Sequence, residues 1–258
     1  MPLFADPWAA QIAGAEGEEL AQQLDARWPP METWLALRVA YLDRMVGIAV
    51  DQLSIRQIVI LGAGYDTRAA RLPRAGVQYF EVDHPATQAA KREVVAKLPR
   101  YPVEAARYVA CNFETDDPID RLVAHGFTTA EPALIVWEGV VMYLPETAVR
   151  ATATRLASQL HPRSIVAFDL FGKRFSSGQR VPAQDLDAHS LVSELGEPIL
   201  FGSDDIVPLL HECGFRWIRS RDFNELSVEL MGVYKREWFF RFQHLALAAV
   251  GTPVAGWP

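Results

Sequence analysis

The sequence predicts an α/β protein with a mostly parallel sheet and helices on both faces. Short apolar, β-branched runs such as Ile58–Leu61 and Ala133–Trp137 are typical of strands buried on both faces. Helical patterns separate these runs, as in βαβ units. A glycine turn follows the first run. Because 258 residues fit one α/β domain with additions, we treat residues 1–258 as a single domain.

The glycine turn is the first candidate binding element. Gly62, Ala63 and Gly64 follow Leu61 directly. Glycine adopts positive φ readily and has no Cβ, so these residues allow a tight turn and let a ligand approach the backbone. A G-x-G run can also be a plain connection from strand to helix. A second feature is needed before the turn indicates a binding site.

An acidic residue at the end of the second predicted strand supplies that feature. This strand runs from Val77 to Val82, carries Glu81 and is followed by Asp83. A carboxylate about 20 residues past a glycine turn is the usual partner of a ribose diol. The turn and the carboxylate together predict a cofactor that contains a nucleoside.

The residues of the turn favour S-adenosylmethionine (SAM) over a nicotinamide dinucleotide. A dinucleotide site wants a third glycine where this chain has Thr67. Asp66 also lies in the turn, and its negative charge would face a diphosphate unfavourably. SAM has no phosphate and carries a sulfonium and an ammonium, so an acidic turn suits it.

Residues 1–50 precede the first strand and predict a helical cap over the sheet. Glu18–Trp28 and Met31–Val50 have helical patterns. The second helix has an apolar stripe made of Leu35, Val39, Leu42, Val46 and Ala49. Arg38 lies off that stripe, and spacing alone favours a surface charge.

The cofactor-binding core is predicted over residues 51–170 and the C-terminal part of the core over residues 201–258. Further strands are predicted at Arg107–Cys111, Ala133–Trp137, Ser164–Leu170 and Phe215–Ser220, and further helices at Ala86–Leu98, Thr115–His125, Glu146–Gln159 and Ser203–Cys213. Trp238–Val250 fits a strand or a helix, and we favour a strand at the edge of the sheet.

Polar residues at strand ends are the next candidates, because the carboxyl edge of a parallel sheet lines ligand sites. Glu138 follows the fourth strand, and Asn112 and Phe113 follow the third. Asn112 is equally well interpreted as a turn residue. Tyr143, beyond the fourth strand, could reach a substrate or simply pack in the core.

Residues 171–200 are predicted to be a lid insertion after the fifth strand. The segment is polar, irregular and too long for a plain connection. It carries Lys173, Arg174, Arg180 and His189. Any one of these cations can also be a solvated loop charge.

Composition excludes several classes of protein. A net charge of −7 argues against nucleic acid as the main partner. Cys111 and Cys213 are far apart and suggest reduced thiols in a reducing compartment. We find no membrane-spanning run and no signal peptide, so we expect a cytoplasmic protein. No cluster of acidic metal ligands stands out beyond the cofactor carboxylates.

Four motifs together resemble a known family. LRVAYLD, RQIVILGAGYDTRAARL, FEVDHP and WEGVVMYLPE, in this order and spacing, are similar to the leucine carboxyl methyltransferase family. The closer likeness is to its bacterial branch of SAM-dependent O-methyltransferases from polyketide and other natural-product pathways. The opening LFADPWA also resembles that branch. The likeness covers about Leu3 to Phe215.

The resemblance implies a class I, Rossmann-like methyltransferase sheet with SAM as cofactor. At the methionine end it implies that Arg38 holds the carboxylate, Glu138 faces the methionyl group, and the turn of Gly62, Ala63, Gly64 and Asp66 lies beneath it. At the nucleoside end it implies that Asp83, with His84 beside it, takes the ribose and that Asn112 and Phe113 contact the adenine. The family usually has Asp where this chain has Asn112.

The function implied is methyl transfer to a carboxylate or hydroxyl of a small molecule in a bacterial biosynthetic pathway. Tyr143, Arg174 and Arg180 are the candidate catalytic residues. A carboxylate acceptor needs cations, whereas a hydroxyl needs a base, for which His161, His189 and His211 are the candidates. The alternatives are a non-catalytic SAM-binding protein and a nicotinamide oxidoreductase. The sequence does not indicate the oligomeric state.

Overall fold

A computed structural model describes residues 3–27, 29–113, 115–173, 176, 198–234 and 243–251. Its centre is a seven-stranded sheet with strand order β3-β2-β1-β4-β5-β7-β6. The strands are β1 Gln57–Leu61, β2 Gln78–Asp83, β3 Arg107–Ala110, β4 Ala133–Trp137, β5 Ile165–Phe171, β6 Trp217–Asp222 and β7 Gln243–Ala249. Only β7 pairs antiparallel with its neighbours. The predicted α/β class with a mostly parallel sheet is confirmed.

Eight α-helices lie in the described part of the chain. They are α1 Ala9–Arg27, α2 Pro29–Asp51, α3 Arg68–Arg71, α4 Pro85–Val95, α5 Pro118–Ala124, α6 Glu146–Gln159, α7 Val207–Glu212 and α8 Phe223–Met231. A short 3₁₀ helix covers Val141–Tyr143. Within the described residues, no helix has both the length and the apolar character to cross a bilayer.

Helices cover both faces of the sheet, as predicted. In β1, Val59 and Leu61 pack into a cluster with residues of α5, α6 and α7. Ile58 and Ile60 pack into a second cluster with residues of α2 and α8. Successive residues of a strand point to opposite faces, so the continuous apolar run of β1 supplies both clusters.

The buried face of α2 differs from the predicted stripe at its N-terminal half. Leu42, Val46 and Ala49 are buried, but Leu35 is 38% exposed. Trp34 and Leu37 are buried in its place. The reason is a tertiary contact, since the ring of Trp34 packs 6.2 Å from that of Phe223 on α8.

The last segment forms a strand, but its predicted position was wrong. β7 lies between β5 and β6, and β3 and β6 form the two edges. Leu245 to Ala249 are all buried, which fits an interior strand with helices on both faces. The helix α8, absent from the sequence interpretation, follows β6 through a capping box formed by Asp222 and Glu225.

Several helix limits also differ from the prediction. α1 begins at Ala9 and not at Glu18, with a non-helical Gly14 inside it. α5 begins at Pro118 because Asp117 caps it. α7 is shorter than Ser203–Cys213. Most of the predicted lid, residues 174–175 and 177–197, lies outside the described residues.

Two leucines on α2 provide a test of this packing. Leu37→Ala should lower the free energy of unfolding by about 2–5 kcal/mol, because it removes a fully buried side chain. Leu35→Ala, two residues away, should change it by no more than about 0.5 kcal/mol. Urea denaturation of the two variants measures both values. Equal losses would contradict the orientation of α2.

Candidate active site

A cavity of about 430 Å³ lies beside the glycine turn, at the carboxyl ends of β1 and β4. Its volume is in the range typical of small-molecule sites. Its walls come from the N-terminal segment, α2, the turn, α3 and the end of β4, and are formed by Phe4, Asp6, Ala9, Arg38, Val39, Ile60, Gly62, Ala63, Gly64, Tyr65, Asp66, Thr67, Arg68, Arg71, Glu138 and Gly139.

The glycine turn has the backbone conformation that the sequence predicts. Gly62 has φ +66° and Gly64 has φ +46°. The amides of Gly62 and Ala63 donate to the carbonyl oxygen of Val82 at 2.8 and 3.2 Å, which fixes the turn against β2. A Cβ on Gly62 would overlap Val140 after β4. The turn therefore requires glycine for both its dihedral angles and its close packing.

Asp83 is fixed at the rim of this turn. Its Oδ2 accepts a hydrogen bond from the amide of Gly64 at 2.5 Å, and its Oδ1 accepts one from the amide of His84 at 2.6 Å. Each carboxylate oxygen has a second lone pair, so both can still accept from a ligand hydroxyl. His84 itself is exposed and caps α4.

Asn112 and Phe113 lie near Asp83 but outside the described walls of the cavity. The amide of Cys111 donates to the carbonyl oxygen of Asp83 at 2.8 Å, which joins the ends of β2 and β3. The amide of Asn112 donates to Asp116 Oδ2 at 3.0 Å. Phe113 packs on the core cluster. Both residues thus follow β3 at the edge where Asp83 ends β2.

Arg38 is an internal ion-pair partner, so the interpretation of this residue as a surface charge was wrong. Its Nε lies 2.7 Å from Glu138 Oε1 and its Nη1 lies 2.8 Å from Asp169 Oδ2. Asp169 Oδ1 also accepts from the amide of Gly139 at 2.6 Å. The two carboxylates at the ends of β4 and β5 thus hold the guanidinium in the cavity wall.

The charges of this group are set by burial and by the arginines. Burial alone would raise the pKa of Glu138, but Arg68 and Arg38 outweigh it and hold the pKa below its usual value. Burial raises the pKa of Asp169, and Arg38 opposes this rise. Glu138 is therefore ionised at neutral pH.

Arg68 and Arg71 extend the ion pairs behind the turn. Arg68 Nη1 contacts Glu138 Oε2 at 2.5 Å and also pairs with Asp66. Asp43 of α2 contacts Arg68 Nε at 2.8 Å and Arg71 Nη1 at 2.6 Å. The charge of Asp66, which the sequence argument used to select the cofactor, is therefore largely offset inside the protein.

Sequence reasoning missed four members of this network: Asp43, Arg68, Arg71 and Asp169. A signal existed for the two arginines, which stand three residues apart in DTRAAR and so share one face of a helix. Their acidic partner is 25 residues away from Arg68 in the chain, and no local pattern pairs them.

A second buried ion pair supports the turn from below. Lys91 Nζ on α4 contacts Glu81 Oε2 at 2.5 Å and donates to the carbonyl oxygen of Asp66 at 2.5 Å. The side chains of Lys91 and Glu81 are each 2% exposed. This pair joins β2, α4 and the glycine turn.

Of the three candidate catalytic residues, the structure describes Tyr143 alone. Tyr143 packs with Met142 and Ile199 and is not among the described residues that line the cavity. Arg174 and Arg180 lie outside the described residues, as does His189.

The two described histidines of the proposed base set are far from this edge. His161 precedes β5 and so lies at the opposite edge of the sheet. His211 is exposed near the end of α7. His244 at the start of β7, which the sequence interpretation did not select, lies at the carboxyl edge beside Leu170. Burial lowers the pKa of His244.

In the described part of the chain, no three His, Cys, Asp or Glu residues are grouped as metal ligands.

The α/β fold is shared with solved proteins, several of which are named as methyltransferases. A DUF574 family protein from Streptomyces avermitilis aligns over 93% of this chain and 94% of its own, with a TM-score of 0.61 and 14% identity. A "putative methyltransferase" from Thermobifida fusca aligns over 93% and 90%, with a TM-score of 0.60 and 14% identity. At these identities the likeness concerns the fold alone.

The chain belongs to the leucine carboxyl methyltransferase family, whose model matches residues 1–157. A Mycobacterium sp. (strain KMS) protein named "Putative S-adenosyl-L-methionine-dependent methyltransferase" is 35% identical over 182 residues, which is 65% of this chain and 60% of the relative. The chain thus spans about 60% of the length of this relative. The family resemblance drawn from the four motifs is confirmed.

The pair of Glu81 and Lys91 leads to a pH prediction. Burial raises the pKa of Glu81 to about 7, although Lys91 opposes the rise. A carboxyl whose pKa is higher in the folded state stabilises the protein below its ordinary value and loses that contribution as pH rises. The free energy of unfolding of the wild type, relative to that of Glu81→Gln, should therefore decrease as the pH rises from about 4.5 to about 7. The decrease should be up to about 1.4 kcal/mol per pH unit.

Denaturation at a series of pH values measures this difference. Glu104→Gln, at an exposed position outside the pair, serves as the control and should follow the wild type. A difference between wild type and Glu81→Gln that does not change with pH would contradict the prediction.

Proposed function

We propose that this protein is a SAM-dependent O-methyltransferase that acts on a carboxylate or hydroxyl of a small molecule in a bacterial biosynthetic pathway. One observation carries the proposal. The paired Arg38 and Glu138 line the same cavity as Gly62 and Gly64, and Asp83, which is outside the described cavity walls, accepts a hydrogen bond from the amide of Gly64. Membership of the leucine carboxyl methyltransferase family supports it.

The residues of the cavity fit the functional groups of SAM. Among the described residues, Arg38 pairs through Nε and Nη1, which leaves Nη2 for the methionine carboxylate. Glu138 is ionised and suits the ammonium. The left-handed Gly62 and Gly64 give close access to the backbone, and Asp83 keeps lone pairs for the ribose hydroxyls.

SAM, when bound, supplies a methyl group on an activated sulfonium leaving group. The protein then contributes position and the exclusion of water. Arg38 and Glu138 hold the two charged groups of the amino-acid moiety in one orientation. Arg38 is itself fixed by Asp169, so the orientation is set by the ends of β4 and β5.

The acceptor decides what else the protein must do. A carboxylate is ionised at neutral pH and needs cations, for which we propose Arg174 and Arg180 with Tyr143 as a further contact. A hydroxyl needs a base, and we propose His244, which lies beside Leu170 at the carboxyl edge of the sheet and whose neutral form is favoured by burial. Burial of Cys111 and Cys213 as free thiols supports a reducing, cytoplasmic location.

Methyl-labelled SAM with a pool of candidate acids and phenols tests the proposed function. Labelled product that releases methanol in mild alkali identifies a methyl ester and a carboxylate acceptor. Label that survives alkali identifies an ether or an amine, and loss of activity in His244→Gln would then support the base. If the protein binds SAM but transfers label to none of the candidate small molecules, the proposal is contradicted.

Asp83→Ala tests the cofactor assignment. It should weaken binding of S-adenosylhomocysteine by roughly tenfold or more, because it removes charge-assisted hydrogen bonds to the ribose. Isothermal titration calorimetry gives the affinity and thermal unfolding gives the stability. Asp51→Ala, at an exposed position at the end of α2, is the control. Unchanged affinity with a lowered melting temperature would contradict the ribose contact.

A further inference from the structure

The N-terminal segment Leu3–Trp8, which we call the strap, lies against the cavity. Phe4 and Asp6 line it together with Ala9, the first residue of α1. No residue of α1 is buried. No residue of the strap is fully buried either, although Leu3 and Trp8 pack against core clusters. This packing does not account for the polar contacts of the strap, which call for a further explanation.

Two aromatic residues attach the strap at its ends. The ring of Phe4 lies 5.6 Å from the guanidinium of Arg71, which is a cation–π distance. The ring of Trp8 packs edge-on against Tyr101, with centroids 5.1 Å apart. Arg71 belongs to the cavity wall, and Tyr101 belongs to a small apolar cluster with Ala70 and Val95. The strap is therefore attached at two places, one of them in the cavity wall.

Asp6, between these aromatics, joins the strap to the glycine turn. Its Oδ2 accepts a hydrogen bond from Thr67 Oγ1 at 2.5 Å and lies 3.6 Å from Arg71 Nε. Its Oδ1 accepts from the amides of Trp8 and Ala9 at 3.0 and 3.1 Å and so caps α1. One carboxylate thus starts α1 and fastens it to the turn.

The position of Thr67 in the glycine turn explains why its hydrogen bond to Asp6 matters for the cavity. It stands where a dinucleotide site has its third glycine. It is 3% exposed, and its Oγ1 accepts from Arg71 Nε at 2.9 Å while it donates to Asp6. The hydroxyl therefore uses its one proton to hold the strap through Asp6 and accepts a hydrogen bond that positions Arg71.

We propose that the strap is the outer wall of the cofactor site and that Asp6 is a positioning residue, which latches the wall over bound SAM through Thr67. The inference rests on the proposed function, because SAM is the occupant. A weakened latch should let the strap open more often. Bound cofactor should then lose the contacts of Phe4 and Asp6 and leave faster.

Substitutions of Thr67 test the latch with little change of volume. Thr67→Val removes the hydroxyl and should raise the Kd of S-adenosylhomocysteine roughly tenfold, mainly through faster dissociation, as loss of a charge-assisted hydrogen bond implies. Thr67→Ser keeps the hydroxyl and should behave as the wild type. Asp6→Asn, which can still cap α1, should resemble Thr67→Val. Asp25→Asn, exposed on the same helix, is the matched control.

Stopped-flow binding distinguishes a strap that contacts the bound ligand from one that only obstructs its entry and exit. Equal increases in the association and dissociation rate constants, with Kd unchanged, would show that the strap blocks entry without touching the ligand, and would overturn the proposal. Wild-type Kd and rates in both Thr67→Val and Asp6→Asn would also overturn it. Rescue by Thr67→Ser at an unchanged melting temperature would exclude a purely structural effect.

A ligand-free measurement makes the two proposals separable. Hydrogen exchange of the amides of Trp8 and Ala9 should be faster in Thr67→Val than in the wild type, whether or not SAM is the cofactor. Absence of that change would overturn the latch alone. Failure of the wild type to bind S-adenosylhomocysteine would reject the cofactor assignment and the wall with it.

Discussion

A continuous series of ion pairs around the cavity is the constraint on which the candidate site depends. It passes from Asp169 through Arg38, Glu138 and Arg68 to Asp43, and then to Arg71. Its members come from the N-terminal helix α2, from α3 and from the ends of β4 and β5. Ionised groups this deeply buried are tolerated only when they are paired, so each member fixes the rotamer of the next.

The energetic role of this series differs from that of the apolar clusters. Taking charges out of water costs about as much as their pairing returns, so such pairs are weak evidence of net stability. The clusters on the two faces of the sheet supply the driving force for folding. The ion pairs instead fix one arrangement, because removal of one partner would leave another charge buried and uncompensated.

The backbone of the glycine turn and the ion pairs act together. Hydrogen bonds to Val82 and Asp83 hold the turn on β2, and Lys91 holds its far end through the carbonyl oxygen of Asp66. The strap covers the same turn through Asp6. A cofactor at this place would therefore meet a rigid floor and a wall made from a segment with little core of its own.

The sequence by itself determined the mostly parallel sheet, its glycine turn, the carboxylate at the end of β2 and the family. These features are local: they follow from the period of apolar residues, from the freedom of glycine and from motif spacing. Local pattern could not determine the partners of Arg38, because Glu138 and Asp169 are 100 and 131 residues away in the chain. Local pattern also led to the wrong position for β7, at the edge of the sheet. The order of strands depends on which surfaces pack together in the folded protein, and local pattern does not contain that information. Only the tertiary structure decided these pairings, the rotation of α2 and the place of the strap.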